Sequence, residues 1–464
     1  MERDHRRIKA FYKSLIVLLA IILFFIANKI NSAERSDNMD KEISVKRETR
    51  ESFAAPIPAL SLSKMRLFTG GRHLFRRTWT PAPSSVKSLD GLGPVFNRVS
   101  CSGCHVKDGR GRPPKDDGKF RSMVIKLSMI DNNNIYPDPN YGYQLNDKSI
   151  LGVPYEGKAK IDYSIIDIEL NDGTIKKISN PHYTFNSMSF GALNENTKHS
   201  GRVAPAVFGL GLIEAITEKD LLKNADPEDL NNDGISGRAH KLVDKPSKKI
   251  MIGKFGWKAT RATLLHHITG AASQDMGLTS NVFPNENCMK IQKACLEQIN
   301  GGKPEVSDAQ IERLLVYMQS LAPPRQRKIK NKSVLAGKNL FKEIGCESCH
   351  TPAYKTGEHP NHPELSNRII RPYSDFLLHD MGKGLDDGVA EGEAKSYEWK
   401  TPPLWGIGLV KIVNKHTRFL HDGRARSIEE AILWHGGEAL KAKNNYISLT
   451  KEKRKNLLFF LNSL

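Results

Sequence analysis

Two short cysteine and histidine motifs constrain this 464-residue chain more than any other feature. They read CSGCH at residues 101–105 and CESCH at residues 346–350, so that a histidine directly follows each Cys-x-x-Cys pair. In this pattern two thiols attach covalently to a porphyrin, and the adjacent imidazole binds its iron. The motifs therefore predict two covalently bound haem c groups. The predicted haem-binding residues are Cys101, Cys104 and the proximal ligand His105 in the first motif, and Cys346, Cys349 and the proximal ligand His350 in the second.

Zinc binding and dithiol chemistry are the alternatives for these four cysteines. Two Cys-x-x-Cys pairs can bind zinc, and a single pair can serve as a redox dithiol of the thioredoxin type. Neither alternative requires a histidine directly after each pair. Chance is a weaker explanation still, because this composition gives on the order of 10⁻³ expected matches. The motifs favour haem attachment, with zinc and dithiol chemistry as the competing interpretations.

The sequence around the two motifs is also duplicated. GRHLF at 71–75 corresponds to GKNLF at 337–341, and VAPAVFGLGLIEAI at 203–216 corresponds to KTPPLWGIGLVKIV at 400–413. Each copy ends in a segment with helical periodicity, at 308–324 and at the C-terminus. We therefore predict a first c-type haem domain at 60–326 and a second at 330–464. The predicted fold class is mainly α, with two cytochrome-c-like helical domains.

The region from Phe120 to Ile178 predicts strands rather than helices. Several of its segments are rich in β-branched residues or alternate between apolar and polar residues. The tripeptide NDG at 171–173 separates two such segments and is typical of a hairpin turn. The first haem domain is therefore expected to contain a mainly β insertion.

The N-terminus has the layout of an export signal. Five basic residues precede an apolar run from Leu15 to Ala27. A spanning helix needs about twenty apolar residues, so a cleaved signal peptide and a membrane anchor at residues 1–30 both fit. Residues 31–59 are polar and charged and predict a flexible linker. Either N-terminal form places the rest of the chain outside the cytoplasm. We expect a periplasmic protein, released or anchored at the inner membrane.

The formal net charge is +19, with 70 basic and 51 acidic residues. Such a charge can favour an acidic partner, a membrane surface or nucleic acid. The basic residues are spread along the chain, however, and the sequence contains no arginine-rich arm and no nucleic-acid-binding motif. The pattern favours a solvated basic surface, and we expect no nucleic-acid partner.

Cys288 and Cys295 are the two cysteines outside the motifs. Outside the cytoplasm such a pair suggests a disulfide. On one straight helix their Cα atoms would be about 10 Å apart, which is too far for a disulfide. The pairing therefore requires a turn between them, and the alternative is two buried free thiols.

A second candidate metal site is the loop at 229–240. Asp229, Asn231 and Asp233 present oxygen atoms at alternate positions before Gly234, as at the start of an EF-hand calcium loop. Position twelve is His240 instead of the bidentate glutamate. A calcium site and a plain turn rich in Asp and Asn therefore remain alternatives.

The sixth ligand of each iron decides its chemistry. A methionine or histidine there favours electron transfer, and an open position favours peroxide activation. The tripeptide DMG occurs once in each predicted domain. For each residue, a core methionine or a surface histidine is the alternative interpretation. The candidates for the sixth ligand are Met276, His379, Met381 and His421.

From about residue 60 to residue 464 the chain resembles the bacterial di-haem oxidoreductase family, whose members are described as peroxidases and as thiol oxidoreductases. The segments that carry the resemblance include GLGPVFNRVSCSGCHVKDGRGRPP, PYSDFLLHDMG, WKTPPLWGIG and FLHDGRARSIEEAILWHGGEA. The family is more distantly similar to the di-haem cytochrome c peroxidases, and HDGRARSIEEA resembles a segment that lies near the contact between their haems.

The resemblance implies an enzyme that passes electrons between two haems. Its substrate would be hydrogen peroxide or another small oxidant, and its electron donor a small cytochrome or cupredoxin. The peroxidases use a methionine as an iron ligand where this chain has Pro403, with Ala206 in the other repeat. The resemblance therefore leaves both sixth ligands open. The alternative functions are an electron carrier without catalysis and a redox partner in iron acquisition.

Overall fold

The computed structural model describes residues 41–115, 118–132 and 134–464. The predicted signal or anchor at 1–30 lies outside the described residues. Within the described part of the chain, no helix is both long enough and apolar enough to cross a membrane.

The described residues form twelve α-helices and fourteen strands. The helices are α1 (Leu62–Arg76), α2 (Cys101–Cys104), α3 (Leu210–Glu214), α4 (Glu218–Leu222), α5 (Leu264–Met276), α6 (Lys293–Leu296), α7 (Asp308–Gln319), α8 (Lys332–Glu343), α9 (Val410–Asn414), α10 (Ile428–Leu433), α11 (Leu440–Ser448) and α12 (Lys451–Ser463). The strands are β1 (Val95–Phe96), β2 (Met123–Asp131), β3 (Asn134–Tyr136), β4 (Gln144–Leu145), β5 (Lys148–Ser149), β6 (Lys158–Glu169), β7 (Ile175–Asn186), β8 (Lys198–Val203), β9 (Lys241–Val243), β10 (Ile250–Ile252), β11 (Tyr354–Lys355), β12 (Ile369–Ile370), β13 (Leu378–Asp380) and β14 (Glu398–Lys400).

The predicted mainly α fold class is wrong. Helices account for 29% of the structure and strands for 19%, and the strands form several small sheets. Both halves contribute strands, since β13 and β14 pair within the second half.

The strand-rich insertion has two parts. In the first, β2 lies between β3 and β4 and also pairs with β8, in an antiparallel sheet. In the second, β6 and β7 form a long hairpin in which Lys158 pairs with Asn186. Its turn contains Gly173 with φ of 75°, which confirms the hairpin predicted from NDG. The amide of Ser179 donates to Glu430 Oε1 (2.7 Å), so the hairpin packs against α10 of the second half.

Residues 41–59 are not a separate flexible linker, contrary to the prediction for 31–59. Ile43, Phe53 and Ile57 are fully buried in the largest core. The Phe53 ring stacks on Phe208 at a centroid distance of 4.3 Å. A few large apolar side chains hold this polar segment in place, since each one removes a substantial apolar area from water.

Two helix pairs have the same close contact at a glycine. A Cβ atom on Gly71 of α1 would lie 1.9 Å from the carbonyl oxygen of Arg313 of α7. A Cβ atom on Gly337 of α8 would lie 2.0 Å from the carbonyl oxygen of Asn456 of α12. Both positions require glycine, and this explains why GRHLF and GKNLF share their first residue.

The second pair of repeated segments also repeats its geometry. Gly209 and Gly406 have φ of 73° and 75°, which favours glycine. The Gly209 amide donates to the carbonyl of Leu321 (2.8 Å), and the Gly406 amide donates to that of Leu464 (2.9 Å). In each half, the repeated segment is thereby fixed to a residue just after the second helix of the pair, α7 in the first half and α12 in the second.

Candidate haem sites

The first Cys-x-x-Cys-His motif forms the single turn α2, followed by His105. The His105 Nδ1 atom lies 2.7 Å from the carbonyl oxygen of Pro205. Nδ1 is therefore the protonated donor, and Nε2 keeps the lone pair that a metal needs. Phe75 of α1 packs at 6.0 Å from the imidazole, between ring centroids. Helix α1 and the Pro205 segment together fix the orientation of the ring.

The second motif has the same arrangement. The His350 Nδ1 atom lies 2.9 Å from the carbonyl oxygen of Tyr373, so Nε2 again keeps its lone pair. Phe341 of α8 packs at 6.1 Å from this ring. Burial lowers the pKa of His350 to about 4, which keeps the imidazole neutral and able to bind a metal.

The four motif cysteines are free thiols, and their surroundings do not fit a redox dithiol. Burial raises the pKa of Cys101, Cys104 and Cys346 to about 12, and it also raises the pKa of Cys349. A reactive dithiol needs a thiolate, which forms readily only where the surroundings lower the pKa of the thiol. Thiols in an apolar wall instead fit attachment to a buried porphyrin.

The structure also does not bring the four cysteines together around a zinc ion. Among the described residues, the cluster of possible metal ligands is Cys349, Asp375 and His379, which contains a single cysteine. A structural zinc site needs four ligands, and in Cys-x-x-Cys proteins these come from both pairs.

An apolar cavity adjoins the first motif, and the residues around it fit a haem. Cys101, Cys104 and His105 line the cavity together with three further ionisable residues, Arg98, Asp275 and His267. One terminal nitrogen of the buried Arg98 guanidinium has no hydrogen-bond partner among the described residues. A haem propionate would satisfy this donor, because arginine forks match carboxylates.

Met276 lies in this cavity, as its prediction as a sixth ligand requires. His267 lies there too, and the sequence reasoning missed it. Burial, with Arg261 and His105 nearby, lowers the pKa of His267 to about 3, so its imidazole is neutral. The signal was present in the sequence, because His267, Ala271 and Asp275 recur at four-residue intervals on α5 and all line the cavity.

His379 does not fit its predicted role as an iron ligand. Its Nδ1 atom lies 2.6 Å from Glu438 Oε2, and its Nε2 atom lies 2.8 Å from Asp375 Oδ2. Burial by itself would lower the pKa of His379, but these hydrogen bonds and one to Cys349 raise it well above its ordinary value. Glu438 responds in the opposite sense: burial would raise its pKa, but the contact with His379 lowers it to about 2. The imidazolium has no lone pair for iron.

His421 lies in a buried, strongly basic region. Its ring stacks on Trp399 at a centroid distance of 3.7 Å and an angle of 9°. Burial, and then the charges of Arg202 and Arg424, hold its pKa well below the ordinary value. Its Nε2 atom has no hydrogen-bond partner among the described residues, and the carboxylate oxygen Asp422 Oδ2 lies 3.8 Å away. The ring is neutral, and its role as a ligand stays a prediction.

Met381 packs at the edge of the core that contains the second motif. Its amide donates to the carbonyl of Tyr397 (3.0 Å) in a turn beside β13. Met381 is therefore in the half that contains His350, and its role as a ligand also stays a prediction.

Cys288 and Cys295 form a disulfide, with Cα atoms 5.9 Å apart. The turn that this pairing requires is present, since the Gln292 amide donates to the carbonyl of Met289 (2.9 Å) before α6 begins.

The Asp229 loop is exposed, and its side chains form turns. Asp229 Oδ1 accepts from the amide of Asp233 (3.0 Å), and Asn231 Oδ1 accepts from the same amide (2.8 Å). Position twelve, His240, is buried, and its Nδ1 atom lies 2.7 Å from the carbonyl oxygen of Lys258. These contacts describe a turn rich in Asp and Asn, and calcium binding stays a prediction.

The two motifs, each with a neutral imidazole and a free Nε2 lone pair, define a protein built to hold two haems. The family model described as "Di-haem oxidoreductase, putative peroxidase" matches residues 34–130 and 172–464, so the chain belongs to the di-haem oxidoreductase family. Residues 131–171 lie outside the match and include β6 of the long hairpin. No curated protein and no solved structure matches the chain.

Proposed function

We propose that the protein is an exported di-haem c-type cytochrome that reduces hydrogen peroxide. The observation that carries the proposal is the repeated motif geometry. In each half, a Cys-x-x-Cys pair with free thiols precedes an imidazole whose Nδ1–H donates to a carbonyl, at 2.7 Å for His105 and 2.9 Å for His350. This arrangement fixes the tautomer that binds iron through Nε2. Thioether bonds at the two cysteine pairs would hold the haems.

The polar groups around the first cavity suit peroxide reduction. Reduction of hydrogen peroxide to two water molecules consumes two electrons and two protons. Haem, when bound, supplies the one-electron chemistry of its iron. Asp275 lines the cavity, and its Oδ1 atom accepts from Gln144 Nε2 (2.9 Å), which orients the carboxylate. Asp275 and the neutral imidazole of His267 are the groups that can hold and release protons there.

We propose that electrons pass between the two haems, because the two halves share a packed interface. The largest core contains Phe75 and Tyr317 from the first half together with Trp405 from the second. The amide of Val203 donates to the carbonyl of His421 (2.8 Å), which joins the insertion sheet to the second half. We propose that a small cytochrome or cupredoxin delivers the electrons.

The disulfide between Cys288 and Cys295 supports export. Disulfides persist in oxidising compartments such as the periplasm and are rare in the cytosol. We therefore propose a periplasmic location, with the N-terminal segment acting as a cleaved signal or as an anchor in the inner membrane.

The proposal is tested with the full-length holoprotein and a reduced small cytochrome as donor. We expect hydrogen peroxide to oxidise the donor catalytically. Asp275→Asn, which keeps the shape of the side chain, should lower kcat by about 10²-fold or more, because one proton-transfer group is lost. Asp162→Asn is the matched control, since Asp162 is exposed on the hairpin. Reversible electron exchange with the donor, without peroxide-dependent turnover, would favour a non-catalytic electron carrier instead.

A further inference from the structure

An iron bound by His350 could take a sixth ligand from a second side chain. The segment after α10 lies beside this motif, because Glu438 Oε2 is 2.6 Å from His379 Nδ1, which lies 3.6 Å from Cys349 Sγ. His379 is already hydrogen-bonded to Asp375 (2.8 Å), and His435 is the histidine of the segment that carries Glu438. We propose that His435 is the sixth iron ligand of the second haem site. The inference rests on the proposed function, because it takes a haem to be attached at the second motif.

The His435 ring has the orientation of a metal ligand. Its Nδ1 atom lies 2.8 Å from the carbonyl oxygen of Ala431, one turn earlier along the chain. Nδ1–H therefore donates, and Nε2 keeps its lone pair, with no hydrogen-bond partner among the described residues. His105 and His350 are held in the same way, by a carbonyl at Nδ1. Burial lowers the pKa of His435, so its ring is neutral.

A structural repeat independently places His435 beside a haem. The chain repeats the same local structure before α5 and before α10, and corresponding residues are always 164 positions apart. This spacing differs from the 245 residues that separate the two Cys-x-x-Cys-His motifs. The corresponding features are the bridges Phe255–Arg261 and Phe419–Ala425, the N-caps Thr263 and Ser427, and the helix starts Leu264 and Ile428.

This offset maps His435 onto Ala271 of α5. Ala271 lines the first cavity together with Cys101, Cys104 and His105. His435 follows the last residue of α10, Leu433, by two residues, and its ring stays one turn beyond Ala431. The corresponding position in the second half would therefore face the second haem, with an imidazole in place of a methyl group.

The difference between Ala271 and His435 makes the two haem sites unequal. A methyl group cannot bind iron, so the first site lacks a ligand at this position. His267 lies one turn before Ala271 and corresponds to Ala431 by the same offset. With His350 and His435 both bound, the second iron would have six ligands, which suits electron transfer. The first iron would be the one whose sixth ligand can differ or be displaced.

The test is spectroscopic and uses the holoprotein with its haem content measured first. In ferric His435→Ala, electron paramagnetic resonance and absorption should show one haem converted from low spin to high spin. Added imidazole should restore the low-spin form. His435→Met should keep six coordinate bonds and raise the reduction potential of one haem, since methionine ligation raises it. The matched control is His182→Ala, an exposed histidine on β7 that is expected to leave both spectra unchanged.

The outcomes separate this inference from the proposed function. Two covalent haems with unchanged His435→Ala spectra would overturn the His435 assignment and leave the proposed function standing. A wild-type chain without covalent haem would overturn both. If His435→Ala does not retain its second haem, the decision falls to His435→Met, and an unchanged reduction potential in that variant would overturn the assignment.

Discussion

Replacing Gly71 by alanine should separate α1 from α7 and destabilise the first half of the protein. The new Cβ atom would lie 1.9 Å from the Arg313 carbonyl oxygen and 2.7 Å from Tyr317 Cβ, while real Cβ contacts begin near 3.0 Å. Helix α7 must therefore move by more than 1 Å at this point. Such overpacking costs about 3 kcal/mol, which exceeds the gain of about 1 kcal/mol from replacing a helical glycine by alanine.

Gly70 provides the matched control in the same helix. A Cβ atom there would meet the flexible side chain of Arg313 at 3.3 Å, and no backbone atom lies closer. Gly70→Ala should therefore change the free energy of unfolding by less than about 1 kcal/mol, in the stabilising direction. The assay is denaturant unfolding of both variants, followed by circular dichroism. Equal stability of Gly71→Ala and Gly70→Ala would refute the close approach of α1 and α7 and, with it, the position of Phe75 against His105.

Two further predictions concern the disulfide and the His379 cluster. The double variant Cys288→Ser with Cys295→Ser should unfold at a lower denaturant concentration. Its free energy of unfolding should fall by about 2.5 kcal/mol, because the disulfide no longer closes a short loop in the unfolded chain. A reducing agent should destabilise the wild type alone, and an equal effect on the variant would contradict this prediction. The pKa of His379 is raised in the folded state from an ordinary value of 6.5, so its contribution to stability is complete below pH 6.5 and is lost as the pH rises through the folded-state value. Stability measured from neutral to alkaline pH should therefore fall more steeply in the wild type than in His379→Gln, and parallel curves would show that His379 is not held as an imidazolium.

Local sequence patterns predicted the parts of the structure that depend on neighbouring residues. The helix at 308–324 appears as α7, with a capping box at Ser307 and Gln310. The NDG turn appears in the hairpin. The Cys-x-x-Cys-His motifs also have a fixed local chemistry, since the attachment residues and the proximal histidine are adjacent in the chain.

The missed features depend on residues that are distant in the sequence. The carbonyl that orients His105 belongs to Pro205, which lies 100 residues further along the chain. The sequence predicts His379 as a ligand, but Glu438 and Asp375 lie at its two ring nitrogens. The polarity of residues 41–59 hid the burial of Phe53 and Ile57, because a segment is held by a few apolar side chains and not by its average composition.

The mainly α prediction failed for a related reason. Helical periodicity is present in the terminal helix of each repeat, but a mainly α fold class also requires helices in segments that have no such periodicity. Those segments, such as β13 and β14, form short strand pairs beside the second motif. Pairing of strands 20 residues apart is a tertiary feature, which propensity in a short window does not specify.

The central claim is that each half of the chain holds one covalently bound haem. The most direct test is the mass of the denatured full-length protein, made in a host that matures c-type cytochromes, together with a pyridine haemochrome spectrum. We predict a mass increase of two haems per chain and a spectrum of thioether-linked haem. The double variants Cys101→Ala/Cys104→Ala and Cys346→Ala/Cys349→Ala should each lose one haem and keep the other. A wild-type chain with the mass of the polypeptide alone, or with a haem that is released on denaturation, would contradict the account.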